Sequence, residues 1–495
     1  MLLTDILLLD YKRCQRRAFL NVYGDSFEKG AERDFLLKLR QENQLHITST
    51  LETFYPHYQK PQYDLRNSTA QAKATEALMR QGISCIYNGT LFESHEFRQQ
   101  YHSHSTLTLF PDHYEFNCLG KPTLLVKHPG QSKFGDWFYS PVSIYLGRRP
   151  KPEYKMVATF YAYLLGNLQE TPSPAPTLIL RQHNHYEVDL SQWLPRLQIA
   201  ATDCLEMLIQ SQEPEVFISR QRCNLCHWYK HCYAIAQSQQ HLSLVPGVTP
   251  SRYQSLLDIG VETVKSLADI SPVNIREVMD SDLASQLQQQ AQAIVDNRAI
   301  RKSQFQSDIH GLIPTREFEL YFDIEAEPER KLDYLLGVLL VEHSTQTETF
   351  YPLLAESPED EQHIWQQFLD LVNQYQDAPI FHFSEYEVET MKRLAKLYKT
   401  PQWQLERLLS RFVDLHHRVI TSVILPVESY SLKSLANWIG FHWRDPGISG
   451  DQCVCWYDQW LKTEDRTLLS SILRYNEDDC RATLYLKNWL LKFLG

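Results

Sequence analysis

The sequence predicts an α/β protein of two or three domains, and three observations carry that expectation. At 495 residues the chain exceeds the length one hydrophobic core sustains. Its 43% hydrophobic share is enough for a core in each domain. Short β-rich runs such as 122–127 and 177–181 alternate with helical stretches in the first half, and from about residue 317 the pattern reads strand, strand, helix, strand, helix.

Several classes are excluded at once. No run approaches 18 apolar residues, so no membrane span is expected. The opening Met-Leu-Leu-Thr-Asp-Ile-Leu-Leu-Leu-Asp carries its positive charge after the apolar stretch and reads as a strand or helix, not a signal peptide. Ten cysteines are too few for a disulfide scaffold and several cluster, which points to metal and a reducing compartment, the cytoplasm. A net charge of -11 confines any nucleic-acid contact to local patches. Two patches qualify: Lys12, Arg13, Arg16 and Arg17, then Arg148, Arg149, Lys151 and Lys155. A solvated helix face and a loop account for them equally well.

The stretch 245–297 has its own character. Pro246-Gly247-Val248 and Ile259-Gly260-Val261, with Leu256, Leu257, Val264 and Leu267 at helical spacing, predict two helices around a tight glycine turn. This is similar to a helix-hairpin-helix unit, which holds backbone phosphates; an ordinary α-hairpin linker fits the same pattern. A polar stretch, 298–308, follows.

Leu320-Tyr321-Phe322-Asp323-Ile324-Glu325 sets two acids two apart on a strand, so both project from one face. Like charges held together call for a cation, and an all-oxygen site suits Mg²⁺ or Mn²⁺. Segments 337–342 and 349–352 read as the next strands, with the first strand central. Near the end, Tyr475-Asn476-Glu477-Asp478-Asp479 opens a helix on which Tyr475 and Asp479 share a face. With Asp323 and Glu325, this resembles the ribonuclease H-like 3′-5′ exonucleases of the DEDD type, in the subclass whose last motif is Tyr-x-x-x-Asp. The family's middle Asp corresponds to Glu387 in His382-Phe383-Ser384-Glu385-Tyr386-Glu387, one methylene longer; Asp414 is the reserve ligand. The resemblance implies two ions held by Asp323, Glu325, Glu387 and Asp479, with Tyr475 positioning the attacking water, and hydrolysis of single-stranded DNA or RNA.

Cys223-x-x-Cys226-x5-Cys232 packs three thiols into ten residues and needs a fourth ligand. Cys14 supplies it in a pattern that resembles the iron-sulfur RecB-like nucleases of PD-(D/E)XK type, where a 4Fe-4S cluster staples the two ends of the domain. Zinc is the alternative, with His227 or His231 able to replace a cysteine, whereas Cys85, Cys118 and Cys204 read as buried residues. The frame lacks its chemistry: Thr123 stands where the Asp belongs after Gly120-Lys121-Pro122, and Ser143 and Tyr145 replace the acid and lysine of the next strand. Helix 153–165 has Val157 for the usual Gln and keeps Tyr161. Catalysis there would need Glu93, Glu96 or Asp136 to compensate. The expected organisation is a degenerate RecB-like domain at 1–240 that binds strand or aids folding, a helix-hairpin-helix linker at 241–300, and a ribonuclease H-like mixed-sheet domain at 315–495. The other reading is a non-catalytic nucleic-acid scaffold built from two nuclease folds.

Overall fold

Thr4 ends a short first strand, β1 (Leu2–Thr4), because its hydroxyl accepts from the Leu7 N–H and caps the helix Asp5–Arg13. The computed structural model describes residues 1–62, 67–102, 115–276, 278–302 and 312–495; positions 303–308 of the polar stretch lie outside them. The chain divides into two compact units, Met1–Tyr233 and Ala234–Gly495.

In the first unit the strands β2 (Cys85–Tyr87), β3 (Leu91–Glu93), β4 (Asn117–Gly120), β5 (Leu124–Ser132), β6 (Gly135–Ile144), β7 (Thr177–Ile179) and β8 (His185–Glu187) build two sheets, ordered β1-β4-β3 and β2-β5-β6-β7-β8. Both are mixed: β1–β4 and β6–β7 run parallel, the other pairs antiparallel. The helix expected at 153–165 spans Pro152–Gln169 and is buried from Met156 through Leu165 without a break. A helix apolar all round is a core helix, and this one anchors the main core of the unit with Leu3, Leu8, Leu197 and Leu205. Cys85, Cys118 and Cys204 are buried as expected.

In the second unit the helices Pro250–Asp258 and Val264–Asp269 flank a turn in which Gly260 has φ +76°, a backbone that L side chains rarely adopt. A following helix, Ser281–Asp296, is tied into the rest of the unit through Gln290, which donates to the Leu425 carbonyl and accepts from the Tyr430 hydroxyl. After β9 (Ile300–Arg301) come β10 (Phe318–Glu327), β11 (Leu332–Glu342), β12 (Thr347–Leu354), β13 (Ile380–His382), β14 (Phe412–Asp414) and β15 (Val423–Ile424). The main sheet is mixed and ordered β12-β11-β10-β13-β14, with β10 central as the sequence predicts; β9 and β15 pair separately.

The two faces of β10 explain the rest. Leu320 and Phe322 project into a core with Trp365 and Phe368 of helix Glu361–Gln374, while Tyr321 projects into another with Leu486 and Leu490 of the C-terminal helix, Arg466–Leu494. That helix starts at the Asp465 cap, so Tyr475 sits inside it instead of opening it as the sequence suggested. Lys487 is buried and donates to both carboxylate oxygens of buried Glu319, at 3.0 and 2.9 Å. From Glu319 to Asp323 is four strand residues, about 13 Å. Asp479 to Lys487 is eight helix residues, about 12 Å. The ion pair therefore fixes the helix at the register that brings Asp479 to Asp323.

Candidate metal centre

Asp323 and Glu325 leave β10 on one face, and the strand is bulged immediately after Glu325. Asp479 comes down from the C-terminal helix. One carboxylate oxygen from each of the three lies within 4.8 Å of the others, the only such group of possible metal ligands among the described residues. Burial and the neighbouring negative charges push all three carboxyls up: Asp323 under the charges of Asp479, Glu325 and Glu387, Glu325 under that of Asp479, and Asp479 to about 7, moderated by a bond from Trp443 and by Lys433. A dry cluster of acids that resist ionisation fits a hard divalent cation, whose charge reverses the penalty.

The surrounding side chains are equally specific. Trp443 Nε1 donates to Asp479 Oδ1 at 2.8 Å. Its loop is fastened by the next residue, since Arg444 donates to Asp478 from its backbone N–H at 2.9 Å and from Nε at 2.7 Å. Lys433 Nζ lies over the rings of Trp443, at 5.6 Å, and Tyr475, at 6.0 Å, and donates to the Ile448 carbonyl at 2.5 Å. Tyr475 bonds to Asp479, and burial together with the acids raises its phenol far above the usual range, so the hydroxyl keeps its proton.

Glu387 is not one of the gathered three, yet it is buried and its charge acts on Asp323. It starts the helix Tyr386–Leu397, with one oxygen 3.5 Å from His382 Nδ1 and 3.3 Å from Ser384 Oγ. Ser384 takes φ +109°, strained for a side chain other than glycine, and its N–H is held at 3.1 Å by Asp414. Asp414 also caps helix Leu415–Ser422 through the His417 N–H at 3.2 Å. Both bonds engage Asp414 in holding the turn that presents Glu387.

Sequence reasoning missed Asn476, Gly337, Trp443 and Lys433. Asn476 Nδ2 donates to Asp323 Oδ2 at 2.7 Å, and Gly337 faces Asp323 across the β10–β11 ladder. A lone glycine in the apolar strand Leu332–Glu342 was the available signal, since it marks a close approach.

The raised carboxyls set a pH dependence. An acid whose pKa rises on folding binds its proton more tightly when folded, so its stabilising contribution is complete below the ordinary carboxylate range and is lost as pH climbs through about 7, the value for Asp479. With divalent ions chelated, the wild type is expected to lose thermal stability between about pH 5 and about pH 8 relative to Asp479→Asn. Parallel melting curves for the two proteins across that range would contradict the assignment.

In the first unit, Cys14, Cys223, Cys226 and Cys232 line one cavity of about 190 Å³, together with Arg16 and Arg17. These arginines belong to the first basic patch, in which Lys12 is exposed and the three arginines are paired. Arg16 is buried against the Pro214 carbonyl and Glu213, Arg17 pairs with Asp10 at 2.9 Å, and Arg13 pairs with Glu153 at 3.4 Å. The second patch keeps Arg148, Arg149 and Lys151 exposed, with Lys155 Nζ 4.5 Å over the Tyr186 ring.

At the positions where the sequence suggested a degenerate PD-(D/E)XK frame, the Thr123 hydroxyl accepts from the Ile144 N–H at 3.3 Å, and Tyr145 stacks on Tyr154 at 3.9 Å. The kept Tyr161 donates to Asp5 at 2.6 Å, and Asp5 also accepts from the N–H groups of Ile6 and Lys121, each at 2.8 Å. Asp5, an acid the sequence did not single out, is thus engaged in structural bonds. Glu93 is likewise buried between Arg98 and Asn167, at 2.8 and 2.7 Å, while Glu96 and Asp136 are exposed.

Among the described residues no helix is long and apolar enough to cross a membrane. No curated protein matches the chain. Residues 320–491, which contain most of β10, the gathered acids and nearly all of the C-terminal helix, match the model of the RNase_H superfamily. The second unit therefore carries a ribonuclease H-like domain, a domain of nuclease type.

Proposed function

We propose that the second unit is a metal-dependent 3′-5′ exonuclease acting on single-stranded DNA or RNA. The observation that carries this reading is the convergence of Asp323, Glu325 and Asp479 within 4.8 Å on a ribonuclease H-like sheet. These three and Glu387 would hold two ions of the Mg²⁺ or Mn²⁺ class. When bound, such ions lower the pKa of water and stabilise charge on a phosphodiester. The chain's own residues do the rest. Tyr475 keeps its proton and can orient a water beside Asp479, Trp443 fixes the Asp479 carboxylate, and Lys433 brings positive charge to bear on Asp479. Arg148, Arg149 and Lys151 are the candidate strand contacts of the first unit.

The deciding experiment is degradation of a 5′-labelled single strand by anaerobically purified protein with Mn²⁺. A ladder shortening from the 3′ end supports the reading; intact DNA and RNA would favour the scaffold reading, in which both units only bind.

For the first unit the proposal is a 4Fe-4S cluster on Cys14, Cys223, Cys226 and Cys232. What supports a thiolate-ligated group is that the four cysteines line one cavity; zinc is the alternative. Arg16 and Arg17 also stand beside the thiols, where they would offset thiolate charge. Cys226→Ser is expected to lose bound iron and to make the first unit protease-sensitive, because cluster binding is coupled to folding. Unchanged iron content and protease resistance in that variant would remove the cluster.

A further inference from the structure

We propose that Asn476 is a positioning residue that fixes the Asp323 carboxylate for cation binding, and that Gly337 is the slot that admits it. The inference rests on the metal-centre reading above.

Asn476 is fully buried inside the C-terminal helix. Its Nδ2 donates to Asp323 Oδ2 at 2.7 Å, while its Oδ1 has no hydrogen-bond partner. A buried amide with one idle polar atom carries a desolvation cost that an apolar side chain would avoid. The bond to Asp323 is what the amide provides in return. It takes Oδ2 and leaves Oδ1 to be turned toward a cation.

The opposing strand is shaped for this amide. Gly337 is the direct partner of Asp323 in the β10–β11 ladder. A Cβ at position 337 would stand 1.6 Å from Asn476 Oδ1 and 2.8 Å from its Cγ. The amide thus lies flat on the strand backbone, in space that every other residue type would fill. The neighbours Leu335, Leu336, Val338 and Leu339 are large apolar core residues, so the glycine interrupts a run that packing alone would complete. Outer partners that orient a ligand typically govern metal affinity by 10- to 100-fold.

The same two contacts supply the test. Gly337→Ala alone forces Asn476 off Asp323 and is expected to weaken both folding and Mn²⁺ binding. Adding Asn476→Ala vacates most of the space that the new methyl needs, leaving the Phe350 ring at 3.2 Å to give by a few tenths of an ångström, so the double variant is expected to recover most of the lost thermal stability. Its Mn²⁺ affinity, measured by calorimetric titration of the full chain with the Asp323→Ala signal subtracted, should remain about tenfold or more weaker. The single variant Asn476→Ala should show the same loss. Either Asn476 variant binding Mn²⁺ as tightly as wild type would make the amide a packing element and overturn the proposal. Wild type with no Asp323-dependent Mn²⁺ binding would overturn the metal-centre reading, and this inference with it.

Discussion

Asp323→Ala is expected to abolish hydrolysis while leaving strand binding intact. Asp323 lies closest to the other acids in the electrostatic sense, since Asp479, Glu325 and Glu387 all act on its carboxyl. Removing it leaves Glu325 and Asp479 acting only on each other and takes away the acid on which Glu387 acts. Metal-ion catalysis supplies several kcal/mol of transition-state stabilisation, so turnover should fall by on the order of a thousandfold or more. Strand affinity, read by fluorescence anisotropy in Ca²⁺ or chelator, should change little, because phosphate contacts carry it. Degradation at the wild-type rate by Asp323→Ala would move the chemistry out of the second unit.

Lys487→Ala is expected to give the largest loss of stability. Lys487 is 1% exposed and Glu319 is fully buried, with Glu319 also accepting from the Tyr321 hydroxyl at 2.6 Å and standing 3.0 Å from His343 Nε2. Breaking one side of such a pair strands a buried charge and costs about 3–5 kcal/mol. For a unit of this size that is a fall in the unfolding midpoint on the order of 10 °C. The double variant Lys487→Met with Glu319→Leu removes both charges and should recover most of the loss. Its hydrolysis, however, tests whether apolar packing alone holds the helix in register. A Lys487→Ala protein that melts with wild type would show that the pair contributes nothing to the domain.

Residues that act through local pattern were legible in the sequence. Asp323 and Glu325 declare themselves by the two-residue period of a strand, and Tyr475 and Asp479 by the four-residue face of a helix. The central place of β10 and the glycine turn at Gly260 follow from the same kind of reading. What was hidden depends on elements meeting from far apart. Lys487 resembles any helix-surface lysine until it is set against Glu319, 168 residues away. Asn476 and Gly337 are ordinary residues until β11 and the last helix touch. The pairing of the basic cluster at Arg13, Arg16 and Arg17 was hidden for the same reason: charge density along the chain does not reveal that Glu153, Glu213 and Asp10 meet each guanidinium in space. Asp414, the reserve ligand, accepts through Oδ1 from the backbone N–H groups of Ser384 and His417, contacts that only the fold supplies.

The distance between the two halves of the acid cluster has a biosynthetic meaning. Asp323 and its partner Asn476 are 153 residues apart, so a ribosome delivers the β10 acids long before the helix that completes them. Until that helix docks, the growing chain holds two carboxylates on a strand and no closed pocket of ligands. On the proposed reading, a chain assembled in this order would stay inert until the helix that carries Asp479 docks on β10.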